Sequence, residues 1–526
     1  MRKNLLFVIA LFLSTYSYAQ GETDAFKFSR TELNGTARGV AMGGAFGALG
    51  GDITGIAINP AGIGVYRTSE LSTSLSLSSI SNETKWENSI NKNDKIRFNA
   101  DNISYVGYYP IGNGHLQNVN FGFSYNKIKN FNRNYTAEGK KMQSSLTGYI
   151  TYITNSFRDI NGEGIHNKND LESSDPYGGK SPWLSILGYR TYLMDPKEDN
   201  YSYSSVLHEG ETVNPYLNVS EKGYIDSYDF SVGANFSNSF YLGMTLILTD
   251  VYYRMDSRYI ENFGERGGFV FDNYLQTEGS GYQVNLGAIW RPIDLLRIGI
   301  AYHSPTWYVM KNFHQGIVDP DVPTETGERA NIEKTPDGEF DYGFHTPYSW
   351  VFSIAGILGT KAIVSLDYEI KDYGSMSLKD QNGYDFQDHN KYISEDFRKA
   401  SILRTGIEYR FTPQFSGRLG YAWLQNPYEK EFKNNNREVV IAGVVGTGTI
   451  PHYTIEGNVN YFTAGVGYRF TPRFYMDVAF VYKTQKDDLY YYPSAWDIEG
   501  NPIVSSKPAS FKNTLYKGLV TLGYKF

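Results

Sequence analysis

"SYDFSVGANFSNSFYLGMTLILTD", Ser227 to Asp250, alternates at every second residue on both sides of a small polar break. Before the break, Tyr228, Phe230, Val232, Ala234 and Phe236 share one face. After Ser237-Asn238-Ser239, the stripe resumes with Phe240, Leu242, Met244, Leu246 and Leu248. A period of two marks β-strands, and the polar break reads as a tight turn. Asp229 stands on the face opposite the stripe. What the stripe faces decides the fold.

The same alternation recurs along the chain, as in Val119, Phe121, Phe123 and Tyr125, or Leu366, Tyr368 and Ile370. Strand charges keep to the other parity: Asp229, Arg291, Arg297, Asp367, Glu369, Arg404, Glu408, Arg410, Arg418, Arg469, Asp477 and Lys517. A charge facing lipid at the bilayer midplane costs about 2–4 kcal/mol, so a lipid-facing stripe must be charge-free. A soluble β-sandwich alternates in a similar way by burying its stripe. Strand number, connection lengths and the chain end favour a barrel. Fourteen strands are predicted, starting near Glu70, Asn102, Asn118, Asp226, Phe240, Gly279, Leu295, Thr346, Lys361, Ala400, Phe415, Val459, Phe474 and Phe511. Connections after even strands read as short and those after odd strands as longer. This is the pattern of outer-membrane barrels, with short turns on the periplasmic side. The expectation is an all-β transmembrane antiparallel barrel over 70–526. Its last strand ends at aromatic Phe526, which resembles the signal read by the outer-membrane assembly machinery.

Met1-Arg2-Lys3, the apolar run Leu5 to Leu13 and Ser17-Tyr18-Ala19 read as a signal peptide over 1–19, too short to span a membrane as a helix. The expected location is the outer membrane of a Gram-negative cell. The 526 residues include no Cys, which removes disulfides, zinc-thiolate sites and cysteine nucleophiles. Tyr and Phe number 45 and 31, yet mean hydropathy is polar. That combination is unusual for a core-forming soluble enzyme. A net charge of −7 argues against nucleic acid as a partner.

Between Gly39 and Gly64, nine of 26 residues are Gly. No Gly-Lys-Ser/Thr or G-x-G-x-x-G pattern accompanies them, so a phosphate cradle is not indicated. A fourteen-stranded barrel encloses a lumen too wide for its own side chains to fill. Residues 20–69, small, apolar and flexible, read as a plug folded into that lumen from the periplasmic side. Within it, Asn59-Pro60-Ala61-Gly62 is either a moving gate or a plain turn.

The plug followed by fourteen strands, with "NPAG" at Asn59 to Gly62, resembles the FadL-like family of long-chain fatty acid and hydrocarbon transporters. "YHSP" at Tyr302 to Pro305 and "LDYEIKDY" at Leu366 to Tyr373 are similar to pieces of that family. "RGVAMGGAFGALGGD", Arg38 to Asp52, resembles the plug of Bacteroidetes-type members often labelled hemin receptors. The loops, above all Tyr135 to Tyr224, do not resemble those of the fatty-acid members. The resemblance implies a passive transporter, a monomer without cofactor, embedded in outer-membrane lipid. In such a transporter a hydrophobic small molecule is captured by loops and plug and released through the barrel wall. It implies plug and gate roles for Asp52, Asn59, Pro60, Ala61 and Gly62. It places a lateral exit in the third strand, among Gly122, Tyr125, Lys127 and Ile128. There the stripe runs through Tyr125 and then breaks, with Lys127 on the lipid parity and Ile128 on the lumen parity. A one-residue bulge would do this, as would a strand that simply leaves the membrane at Lys127.

Asp367 and Glu369, with Arg297, Arg404, Glu408, Arg410 and Arg418, could suggest acid–base chemistry. A ladder of structural ion pairs lining the lumen explains them better. The eight His, among them His303, His345 and His452, show no ligand spacing, although one could serve a haem. Tyr490-Tyr491-Tyr492 reads as an interfacial girdle or loop packing, with ligand capture the sharper reading. The competing functional class is a surface interaction barrel, either a secretion component or an adhesin, with a haem-binding receptor as a further alternative. No Ser/His/Asp grouping supports an enzyme.

Overall fold

The computed structural model describes residues 21–87, 89–112, 114–156, 167–179, 181–208, 210–324, 326–429, 447–496 and 502–526. Residues 1–19, read from the sequence as a signal peptide, lie outside the described residues. Fourteen antiparallel strands form a closed wall: β1 (Glu70–Trp86), β2 (Ser89–Pro110), β3 (Leu116–Asn130), β4 (Asn214–Phe236), β5 (Phe240–Asn262), β6 (Gly268–Ile293), β7 (Leu296–His303), β8 (Ser349–Leu358), β9 (Ala362–Asp372), β10 (Lys399–Arg410), β11 (Phe415–Leu424), β12 (Val459–Arg469), β13 (Phe474–Tyr490) and β14 (Ala509–Lys525). Each pairs with its neighbours in sequence, and β1 closes on β14 from Glu70↔Lys525 to Lys85↔Ser510. β7 continues, after a break at Ser304-Pro305-Thr306, as Trp307–Asp321, which pairs with the upper part of β6. No helix among the described residues is long and apolar enough to cross a membrane.

The two faces of the wall sort as the parity requires. Phe230, Leu242, Leu246, Phe352, Leu366, Leu419, Phe480 and Leu522 are exposed on the outside. Asp229, Asp367, Glu369, Glu408, Arg418, Asp477 and Lys517 are buried on the inside. Arg410 keeps the inward parity but lies at the mouth of the lumen and not among the buried charges. It is exposed, because β10 ends there and its side chain stands at the rim.

Connection lengths also depart from the expectation. β1 and β2 join through residues 87–88, and β5 and β6 through 263–267. The longer connections read after these odd strands are the strands themselves, continuing as paired hairpins beyond the apolar belt. The outward residues there turn polar, as at Asp250, Arg254 and Arg258, while the backbone ladder goes on. Apolar patterning ends where lipid ends; hydrogen-bonded pairing need not.

At this loop end, the long connection between β3 and β4 builds a cap. It holds α4 (Leu146–Ser156), α5 (Lys168–Glu172) and α6 (Trp183–Arg190). Tyr149, Ile150 and Ile153 of α4 are buried with Ile186 and Leu187 of α6. Glu261 of β5 accepts the Leu146 N–H at 2.8 Å and so caps the first turn of α4. Tyr490, Tyr491 and Tyr492 join this core, with Tyr491 beside Trp86 at 5.4 Å and Tyr259 at 6.0 Å. They are loop packing, not a lipid-facing girdle.

Candidate functional site

Residues 21–66 run through the barrel as short helices: α1 (Glu22–Ser29), α2 (Ala37–Ala41), α3 (Ile53–Ile58) and a 3₁₀ turn, Pro60–Val65. Local chemistry starts each of the last three. The Thr36 hydroxyl accepts the Gly39 N–H, Asp52 accepts that of Thr54 at 3.0 Å, and Asn59 that of Ala61 at 3.1 Å. Pro60 opens the 3₁₀ turn at a position where no N–H is needed. The Asn-Pro-Ala-Gly run is thus a capped turn, and Asn59 also ties it to its surroundings. Its amide donates to Gly47 O at 2.7 Å and to Ala288 O of β6 at 3.1 Å.

Inward wall charges grip this segment. Glu408 takes Arg38 of α2 at 2.9 Å and Arg418 at 2.6 Å, and Arg418 also reaches Asp477 at 2.6 Å. Asp367 accepts the Gly47 N–H at 2.9 Å. Arg297 donates to Leu49 O. Glu369 pairs with Arg404 at 2.6 Å. His303 lies 2.9 Å from Ile58 O and 3.2 Å from the Ser349 hydroxyl, a strut between α3 and the wall. Every charge here has a structural partner, as a buried polar lumen requires.

Close approach depends on a feature missed in the sequence. Wall glycines stand on the lumen parity where the segment touches. Gly233, Gly243 and Gly287 face one another across β4, β5 and β6, and Gly406 faces Gly420 across β10 and β11. A Cβ on Gly420 would overlap the Gly43 nitrogen and Met42 carbonyl carbon. A Cβ on Gly243 would overlap the backbone of Pro60. The signal was legible: Gly recurs at mid-strand on the non-aromatic parity of "SVGAN", "YLGMT", "VNLGA", "RTGIE" and "RLGYA".

Nearer the loop end the segment's surroundings change. α1 is buried on nearly every side. Phe26 packs among Tyr373, Phe397 and Tyr428 at 5.2–5.8 Å, and Phe28 against Phe131 and Tyr253 at 5.8 and 5.9 Å. Arg30 pairs with Glu456. Two cavities flank residues 30–34. One, of about 220 Å³, is lined by Phe28, Ile58, Ile128, Ile225, Ile247 and Tyr308 among others. The other, of about 100 Å³, is lined by Asn99, Asp101, Lys127, Lys129 and Asn130 and is richer in charge.

The second cavity abuts an irregularity in the wall. β2 and β3 pair from Pro110↔Asn118 to Asn102↔Asn126 and, among the described residues, no further. On its other side, β3 bulges against β4 between Lys127 and Lys129, leaving Ile128 out of register. Of the two readings of the break in the stripe, the register shift between Lys127 and Lys129 is the one seen here. Lys127 turns to Asp226 at 3.4 Å, and the Tyr125 hydroxyl donates to the same carboxylate at 2.9 Å. The Ile128 carbonyl accepts the Glu32 N–H at 3.2 Å and the Asn34 amide at 3.3 Å. Lys129 donates to Lys27 O at 2.6 Å. Gly122 is not part of this opening. It pairs with Val106 in the intact ladder and faces Ile63 of the segment.

Residues 270–492 match the family of outer membrane protein transport proteins (OMPP1/FadL/TodX). The structure is similar to a FadL homologue of Pseudomonas aeruginosa, with a TM-score of 0.53 and 12% identity, over 94% of this chain and 99% of that one. It is also similar to the toluene transporter TodX of Pseudomonas putida, with a TM-score of 0.51 and 10% identity, over 94% and 99%. At these identities the likeness shows a shared fold. No curated protein matches the chain in sequence. The resemblance to FadL-like transporters is borne out over 270–492 and by the shared fold, while the hemin-receptor likeness read from Arg38 to Asp52 finds no support in these matches.

Proposed function

We propose, for a chain with this FadL-like barrel and this family match, that it is a passive outer-membrane transporter for hydrophobic small molecules. The ligand is captured beneath the cap, against α1, and leaves sideways between β2 and β3. The observation that carries the route is the end of β2–β3 pairing at Asn102↔Asn126, beside a cavity and a bulge held by the amino-terminal segment. An apolar molecule gains about 25 cal/mol per Å² of surface when it leaves water, and a side exit delivers it to lipid without an aqueous passage. Residues 36–66 act as the plug, and the turn at Asn59 to Gly62 is its fixed end, since Asn59 is tied to β6. The movable end is 21–34. Lys129 holds it through a neutral carbonyl, and a ligand carboxylate, as on a fatty acid, is a stronger partner for an ammonium. Such a ligand would release Lys27 as it binds and so loosen the contacts at Ile128. No bond of the ligand is made or broken.

The test uses the absence of native Cys. The Asn130 amide donates to the Asn99 side chain at 3.1 Å, across the opening. Asn99→Cys and Asn130→Cys, joined by a short reducible cross-linker, should block entry of a fluorescent fatty acid into proteoliposomes, and reductant should restore it. Full entry through the cross-linked barrel would rule out this route.

A further inference from the structure

The short-turn rim, periplasmic in this reading, holds a cavity that the passage does not use. Two hairpins there end in near-copies of one sequence, "YRFTPQF" from Tyr409 and "YRFTPRF" from Tyr468. They are built alike. Phe411 and Thr412 donate their N–H groups to Phe415 O at 3.0 and 3.2 Å, and Phe470 and Thr471 donate to Phe474 O at the same distances. The Thr412 hydroxyl accepts the Phe415 N–H at 2.9 Å, and Thr471 accepts that of Phe474 at 2.9 Å. The repeat therefore sets Arg410 and Arg469 at equivalent places on the lumen side of the rim.

Both line one cavity of about 200 Å³. Its carboxylates are already engaged. Glu408 and Asp477 hold Arg38 and Arg418, Glu70 takes Lys525 at 3.3 Å and the Tyr475 hydroxyl at 2.7 Å, and Asp52 takes the Thr36 hydroxyl at 2.8 Å. Among the described residues, no carboxylate is in ion-pair contact with Arg410 or Arg469. Two guanidinium groups thus face one space, in a molecule that is acidic overall. Phe415 and Tyr468, exposed on the outer aromatic stripe, also border the cavity, which therefore lies against the lipid-facing edge of the rim.

We propose that Arg410 and Arg469 form an oxyanion site that takes a phosphate group, borne by an inner-leaflet phospholipid or free in the periplasm. A guanidinium fork matches phosphate oxygens in bidentate fashion, and two such forks, each held at a strand end by the same hairpin, border this one cavity. The site does not depend on the transport reading.

Native mass spectrometry of the full chain in neutral detergent tests it, with phosphatidylglycerol, diacylglycerol and inorganic phosphate as probes. R410Q/R469Q should lose phosphatidylglycerol at least tenfold. R473Q, which removes a third rim arginine outside the cavity, should keep it. Diacylglycerol should not bind in either case. Displacement of the lipid by millimolar inorganic phosphate would extend the site to the free anion, and binding of inorganic phosphate without the lipid would make the free anion its ligand. Equal lipid retention by wild type and the double variant, each migrating as folded barrel, would overturn the proposal. So would diacylglycerol binding as well as phosphatidylglycerol.

Discussion

From Thr36 to Tyr66 the amino-terminal segment is fastened by directional bonds: Arg38 to Glu408, Gly47 to Asp367, and Asn120 to the Ile63 carbonyl at 2.7 Å. Further up, the helix Glu22–Ser29 lies mostly among aromatic rings and the wall holds it partly through its backbone carbonyls, before Arg30, Glu32 and Asn34 again meet Glu456, Lys483 and Lys517. Lys371 holds Ser29 O at 2.8 Å as Lys129 holds Lys27 O. The contrast is one of replaceability. A buried ion pair that loses one partner leaves an uncompensated charge, whereas an aromatic pocket accepts any hydrocarbon of similar shape. In the proposed route the lower stretch stays and the helix Glu22–Ser29 is what a ligand would displace.

Substitutions can separate the two. The largest effect is expected from Gly420→Leu, whose side chain would have to occupy the backbone of Met42 and Gly43. Because main chain cannot yield as a flexible side chain does, folded, heat-modifiable barrel should fall to a small fraction of wild type on gels. Normal folding would mean that the segment does not need close contact there.

Next comes Glu408→Ala. It strands Arg38 and weakens the hold on Arg418, and stranding a buried charge costs about 3–5 kcal/mol. Urea titration in liposomes should show a loss of that order, and maleimide should reach a reporter at Ala48→Cys.

Phe26→Ala should act differently. Truncating a buried Phe costs about 3–5 kcal/mol where the site cannot relax. Here the upper stretch can release alone, so the urea midpoint should shift little, while labelling at Ala25→Cys rises about tenfold and that at Ala48→Cys does not. Equal labelling at both reporters would erase the distinction.

The smallest effect is that of acid. Glu456 sits in the loop before β12. Burial alone would raise its pKa, but Arg30, Lys129, Arg133 and Lys483 hold it below the ordinary carboxylate range. A depressed carboxyl stabilises above its unfolded value and loses that contribution as pH falls through the folded one. As pH falls below 4.5, acrylamide quenching of a pH-insensitive fluorophore attached beforehand at Ala25→Cys should rise, and that at Ala48→Cys should rise less. A rise confined to pH above 5 would exclude Glu456 as the cause.

These two stretches were unequally legible in the sequence. Lipid imposes period two without exception, so the stripe through Leu242 and Leu246 and the inward place of Asp367 and Glu408 could be read directly. Strand ends could not, because beyond the membrane β1 and β2 keep their ladder without an apolar stripe to mark it. The break after Tyr125 could be located in the sequence, but not assigned, since a bulge and a strand leaving the membrane at Lys127 give the same parity change. That Arg410 stands at the rim depends on where β10 stops, which patterning leaves open by a residue or two. The cap helices have no such constraint, since α4 and α6 pack against Tyr491 and Tyr492 from more than 300 residues away in the chain.

The seam between β1 and β14 joins residues some 450 positions apart, from Glu70↔Lys525 upward. Pairings so distant in sequence form late. The wall glycines leave no clearance between segment and strands, so a finished barrel has no path by which residues 36–66 could enter. The segment must therefore be laid along the growing sheet before the seam is sewn. Ala37 donates its N–H to the Thr521 hydroxyl at 2.7 Å, on the last strand to arrive. That bond makes the segment a template against which the final strand finds its register.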